Sequence, residues 1–365
     1  MNAIAPGAPV STLELFLDLV FVFTITQLSN LVVHPDGAAT YLHAALVLLM
    51  VWWMYSGYIW LTSNVGSHRT SYRLLMFGGM GGFLVMALSI PSAFGAGGLP
   101  FALGYLLVTL IHAGLFRRAN NSSAQAIGGI FSYNLTAALL LLAAGLTPGN
   151  FRPWLWLGAV AVLLLSGVKR RESGFRLRPD HFAERHGLIL LIALGESIVA
   201  IGVGIGSAAI TPALVLGALL GLALSAALWW SYFDRLAEAG AARLAAAPAA
   251  EQPRLALQGF GFSHVLMIAG IVLLAAGVKL VTGRLAAADP LTAWSLAAGV
   301  SLYLLGDVLF QRVMTLGNAR RYALFAGLAL LSAPLGLSAG GPLQLAALLG
   351  LLTLLLLLEG RAAHA

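Results

Sequence analysis

The chain contains no cysteine, which excludes a disulfide framework and any thiolate metal site. Charge is scarce as well. Only 9% of the 365 residues are Asp, Glu, Lys or Arg, where a soluble domain carries about a quarter. A chain with so few charges cannot coat itself against water. Metal-ligand spacing of the His-Glu-x-x-His kind is missing, and no Lys-Ser/Thr follows the cluster Gly78-Gly79-Met80-Gly81-Gly82. Neither a metal site, a phosphate loop nor another cofactor is therefore expected, and the glycine cluster reads as a helix-packing surface. Met1 to Val10 holds no Lys or Arg, and no small-residue cleavage site follows the first apolar run. That run is expected to be a retained span rather than a signal peptide.

What the chain does have is apolar. Hydrophobic residues make up 60% of it, with 42 glycines and a mean hydropathy of +0.92, as expected of helices packed closely in lipid. About 20 apolar residues cross the hydrocarbon core. Turn residues and charges punctuate the sequence into twelve such runs, at 12–34, 40–63, 73–94, 99–117, 124–146, 153–169, 184–205, 211–233, 257–280, 291–311, 319–337 and 341–358. The expected fold is an all-α integral membrane protein of about twelve transmembrane helices, with the lipid bilayer as its first partner.

The net charge of +7 does not point to nucleic acid, because the cations sit in short segments between apolar runs and form no basic stripe. Their distribution sets the orientation instead. Seventeen of the 20 Lys and Arg residues fall on one side, and only Arg152, Lys279 and Arg284 on the other. The positive-inside rule then places both termini and the even-numbered loops in the cytoplasm, which makes this a multipass protein of the cytoplasmic membrane. Two longer polar loops, about 170–183 and 234–256, lie on that side.

The runs also fall into two halves. Trp52-Trp53-Met54-Tyr55 in span 2 matches Trp229-Trp230-Ser231-Tyr232 in span 8. The end of span 4, with His112, Phe116 and Arg117, matches the end of span 10, with Asp307, Phe310 and Arg312. Glu14 opens span 1 and Glu184 opens span 7. Six helices per half preserve orientation, so the expectation is two parallel six-helix repeats: 1–170, a cytoplasmic loop at 171–183, and 184–365.

Ionisable residues within spans are the most informative, because burying charge in lipid costs several kcal/mol. Glu14 and Asp18 share one face of span 1, about 3 and 9 Å along it. Ser11-Thr12-Leu13-Glu14 also fits a capping box, whereas Asp18 lies a turn beyond any cap. Glu196, in Gly195-Glu196-Ser197, falls about 18 Å into span 7, near the midplane. With His112, Glu184, Ser197, His264 and Asp307 these residues form the candidate polar pathway. Trp60, Trp229, Trp230 and Tyr232 read as an interfacial belt.

Two of these stretches are long enough to recognise. Glu14-Leu15-Phe16-Leu17-Asp18-Leu19-Val20-Phe21-Val22-Phe23 through Gln27-Leu28-Ser29 resembles the opening of the low temperature requirement protein A family. Glu184-Arg185-His186-Gly187-Leu188, followed by Ala193-Leu194-Gly195-Glu196-Ser197-Ile198-Val199, resembles its second motif. His186 departs from the aromatic residue expected there. The resemblance covers nearly the whole chain and implies a multipass bacterial membrane protein linked to growth in the cold, without implying a reaction. Three functions stay open at this point: a transporter or ion- or proton-conducting protein acting on a small ion or small molecule, a membrane-embedded lipid-modifying enzyme, and a non-catalytic sensor or scaffold in a cold-stress response. No motif specifies a catalytic residue.

Overall fold

A computed structural model of the chain describes residues 10–63, 69–117, 122–147, 149–169, 177–207, 209–283 and 289–362. All regular structure among them is helical. The helices are α1 (Thr12–Val33), α2 (Ala39–Thr62), α3 (Thr70–Ser89), α4 (Gly98–Arg117), α5 (Ser122–Leu146), α6 (Arg152–Lys169), α7 (Pro179–Ile205), α8 (Pro212–Phe233), α9 (Leu236–Ala246), α10 (Gln252–Leu255), α11 (Ser263–Gly283), α12 (Pro290–Met314), α13 (Ala319–Leu330), α14 (Ala333–Ala339) and α15 (Gly341–Ala362). A π-helical stretch, Ala256–Phe262, leads from α10 into α11. Among the described residues, ten helical runs are long and apolar enough to cross a membrane. Helices α5 and α6, of 25 and 18 residues, cover the two other expected spans.

Where the helices differ from the expected runs, the cause is local. The run expected at 319–337 is broken between α13 and α14, because Pro334 has no N–H to donate and clashes with the preceding turn. Gln344 of α15 stitches the break, its amide donating to Ser332 Oγ at 3.2 Å and to the Ala293 carbonyl at 2.8 Å. The polar segment 234–256 is largely helical, holding α9 and α10. Helix α7 starts at Pro179, within the expected loop 171–183, and residues 171–176 of that loop lie outside the described residues.

The chain divides into two compact units. Unit 1 comprises residues 1–31, 35–185 and 244–257, and unit 2 comprises 32–34, 186–243 and 258–365. Within unit 1, α3 packs on α4, α4 on α5 and α5 on α6, with α2 against α4 and α6. Helices α3 and α4 approach closely, and a Cβ on Gly104 would lie 2.8 Å from the Gly82 carbonyl oxygen. Only glycine lets backbones meet at that distance. Within unit 2, α11 packs on α12 and α12 on α13, while α15 packs on α8, α13 and α14. A Cβ on Gly270 would lie 2.6 Å from the Gly299 carbonyl oxygen, another glycine-on-glycine crossing. Of the glycines late in α7, Gly204 is the tight one, with the Lys279 carbonyl 2.5 Å from where its Cβ would be.

Large apolar side chains stay exposed along the spans, among them Leu19, Leu74, Leu216 and Leu357. In water that surface would be an aggregation liability, and in a bilayer it is the lipid-facing wall. Arg152, one of the three cations expected on the sparse side, donates to the carbonyls of Ala144 and Thr147 at the end of α5 and of Phe94 and Gly95 after α3. A cation suits the negative end of a helix, so this exception to the charge count has a structural task.

Candidate functional site

Two helix starts in unit 1 carry ionisable residues at the same spacing. On α1 they are Glu14 and Asp18, and on α7 they are His181 and Arg185. A spacing of four puts each pair on one helix face, and the two faces meet rung to rung. His181 Nε2 lies 3.2 Å from Glu14 Oε1. One turn further, Arg185 clasps Asp18 with two bonds, Nη1 to Oδ2 at 2.8 Å and Nη2 to Oδ1 at 2.7 Å. Both Asp18 and Arg185 are 0% exposed. Since 14 pairs with 181 and 18 with 185, α1 and the start of α7 run in the same direction. Five crossings, one for each of α2 to α6, would give that direction, because an odd number returns the chain to the side where α1 began.

Helix α2 completes the ladder. The Tyr55 hydroxyl donates to Asp18 Oδ1 at 2.6 Å, with its ring stacked 4.1 Å from that of Phe21. Ser63 Oγ lies 3.1 Å from His181 Nδ1. Glu14 Oε2 is held by the Ser11 backbone N–H at 2.8 Å and by the Ser11 hydroxyl at 2.7 Å, which is capping-box geometry. One oxygen of Glu14 thus caps α1 and the other faces His181. Bidentate guanidinium–carboxylate bonding is the strong, directional kind, and burial makes each partner depend on the other.

Unit 2 holds a cluster of a different character. Asp307 of α12 is 0% exposed and accepts a bond from Ser231 Oγ of α8 at 3.0 Å. Its other oxygen, Oδ1, has no hydrogen-bond partner among the described residues. Gln311, one turn on, is buried, and neither of its amide atoms has such a partner. Nearby, Tyr232 Oη lies 2.9 Å from His264 Nε2, among the rings of Phe260, Phe310 and His186. Tyr232 is therefore core and not belt, being 1% exposed where Trp229 and Trp230 of the same turn are 39% and 53% exposed.

The other sequence-selected residues are spread out. His112 is buried on α4 and its Nε2 lies 3.0 Å from the Gly57 carbonyl of α2. Glu196 and Ser197 are buried on the unit 2 part of α7, while Glu184 is exposed. Sequence selection therefore supplied the carboxylates of the ladder and omitted its other half, His181, Arg185, Tyr55 and Ser63. The available signal was the four-residue spacing of His181 and Arg185, which repeats that of Glu14 and Asp18.

Long apolar helices, lipid-compatible outer surfaces and buried charge define a multipass α-helical membrane protein. The chain belongs to the bacterial low temperature requirement A (LtrA) family, whose model matches residues 9–358. It is similar to the uncharacterized protein RA0937 of Rhizobium meliloti (strain 1021), with 28% identity over 279 residues, covering 72% of this chain and 67% of that one.

Proposed function

We propose that the chain is a transporter or an ion- or proton-conducting protein, with the ladder of α1 and α7 as its charged site, acting in growth under cold or stress. The observation that carries this reading is the Asp18–Arg185 pair, wholly buried at the start of membrane-spanning helices. Ionisable groups in such places are expensive and, as a class, mark ion and proton paths. The His181 ring, set between Glu14 and the Ser63 hydroxyl, extends the ladder from α1 through α7 to α2, a chain along which a proton can be handed on. The test is flux in proteoliposomes holding the purified protein, with Na+, K+ and H+ gradients imposed in turn. Flux of one ion, abolished by Asp18→Asn, supports the proposal. A wild-type chain tight to all three would remove it.

Two further readings belong with this one. The shared pattern of helix packing in the two units, and the glycine-on-glycine crossing in each, support the reading as two parallel six-helix repeats, 1–170 and 184–365, joined by a cytoplasmic loop at 171–183. The cation count supports cytoplasmic termini. Because the chain has no cysteine, single cysteines at exposed Ala245 and Ala96 can be labelled with an impermeant maleimide. The orientation requires Ala96→Cys to label in intact cells and Ala245→Cys only after lysis; the reverse pattern inverts it.

A specific observation favours a second function, the lipid-modifying enzyme. Ser63 Oγ, His181 and Glu14 stand in the order nucleophile, base and orienting carboxylate, the arrangement that activates a serine for acyl transfer. It ranks second because Ser63 is 1% exposed. Labelling by a fluorophosphonate probe, lost in Ser63→Ala, would raise it to first. If the probe does not react and cold growth survives Asp18→Leu combined with Arg185→Leu, the ladder is a clamp in a scaffold or sensor.

A further inference from the structure

Unit 2 contains a cavity of about 860 Å³ between the end of α8, the α12–α13 turn and the end of α15. Ser231 and Gln311 both line it, and Asp307 sits one hydrogen bond behind Ser231. Asp307 and Gln311 are four residues apart on α12, so they share a helix face. The structure assigns to this inner end a binding site for one monovalent cation, with Asp307 carrying the charge and Gln311 and Ser231 supplying neutral oxygens.

Gln311 is 1% exposed, and both atoms of its amide are without a hydrogen-bond partner among the described residues. A buried amide left unsatisfied is costly, and such a group calls for a ligand or water. Asp307 Oδ1 is in the same condition. No ion pair involving Asp307 is formed among the described residues. Three arginines line the cavity: Arg235 lies 3.3 Å from Asp234 and Arg321 lies 2.6 Å from Glu359, while Arg361 is exposed at the end of α15. Arg321 also donates to the Leu358 carbonyl. One carboxylate with no ion-pair partner among the described residues matches one positive charge, and carboxylate, amide and hydroxyl oxygens are hard donors suited to an alkali cation. Room for the amide comes from Gly317, where a Cβ would lie 2.8 Å from Gln311 Oε1.

This site rests on the reading of the chain as an ion pathway, so its test is one of equilibrium binding, which needs no flux. Thermal unfolding of the purified full chain in nanodiscs is followed as Na+ or K+ replaces N-methyl-D-glucamine at constant ionic strength. The expected result is a saturable rise in the midpoint with Na+ or K+, lost in Asp307→Asn and requiring several-fold more cation in Gln311→Leu, which keeps volume while removing the amide. Should Asp307→Asn fail to fold, Gln311→Leu decides alone. A wild-type midpoint indifferent to the cation overturns the site, as does a titration unchanged in Gln311→Leu. Saturable binding in a chain that conducts no ion would sink the pathway and leave the site standing.

Discussion

Asp18 and Asp307 are both buried carboxylates on long apolar helices, both 0% exposed, and their surroundings are opposite. Asp18 has a bidentate arginine and a tyrosine hydroxyl. Asp307 has one serine hydroxyl and an oxygen with no partner among the described residues. The first arrangement is self-contained, since charge, counter-charge and hydrogen bonds come from the protein. The second leaves a donor-shaped gap in the bonding of both Asp307 and Gln311. Two buried carboxylates on apolar helices are therefore satisfied differently, one wholly by protein groups and the other only in part among the described residues.

Splitting the paired site should cost the chain most. Removing one partner of a buried ion pair costs about 3–5 kcal/mol, because the other charge is left without compensation, whereas replacing both by apolar residues is often close to neutral. Asp18→Leu and Arg185→Leu should each destabilise the chain by about that much, and the double substitution should recover most of it. Asp307→Asn orphans no charge, and its effect in cation-free buffer should be about 1 kcal/mol or less. Denaturant unfolding of the four proteins measures all of this. If Asp307→Asn is as damaging as Asp18→Leu, the two carboxylates are not different in kind.

Much of this contrast was out of reach of the sequence, for a physical reason. The helices were legible because lipid imposes length and hydrophobicity on each span, and Gly, Pro and charges mark the gaps. The break between α13 and α14 was hidden, because Ser332 and Pro334 sit inside a run whose average character is still apolar. Asp18 stood out as costly, but its counterion is 167 residues away in the chain, and no local pattern reports a pairing over that distance. Tyr232 shows the same limit on a smaller scale. It follows Trp229 and Trp230 by only three and two residues, yet a turn of about 100° per residue carries it from lipid to the packed interior. Residue types are read easily in this chain, while facing and pairing belong to the tertiary structure.

The two units agree in one feature, and its disruption is expected to have an intermediate effect. Each has a glycine-on-glycine crossing, Gly82 with Gly104 and Gly270 with Gly299, where an added Cβ meets backbone atoms. Backbone cannot move aside as a flexible side chain can, and overpacking of this kind costs about 1–3 kcal/mol. Gly104→Ala and Gly299→Ala should lower stability by similar amounts, read as shifts in thermal midpoint. Gly202→Ala on α7, where nothing lies within 4 Å of the added Cβ, is the control, and a gain in helix propensity should leave it neutral or slightly stabilised. A large loss in only one of the two crossings would show that the units do not use their glycines alike, and would weaken the repeat.

The smallest effect separates the two tasks of Glu14. Ser11 holds Glu14 Oε2 through its backbone N–H and its hydroxyl, while Glu14 Oε1 faces His181. Replacing an N-cap serine by alanine costs about 1 kcal/mol, and Ser11→Ala removes the hydroxyl bond while leaving the backbone N–H bond in place. If the cap serves only the end of α1, Ser11→Ala should lower stability by about that amount with proteoliposome flux unchanged. His181→Gln does the converse, sparing the cap while taking the imidazole out of the ladder, so it should reduce flux more than it reduces stability. The two substitutions lie on opposite sides of the same carboxylate, and their ratio of flux loss to stability loss is the informative quantity. Equal ratios would mean that Glu14 acts as one structural unit with α1. The Glu14–His181 rung would then be a clamp at the start of α1, and Asp18–Arg185 alone would be left to carry the proposed pathway.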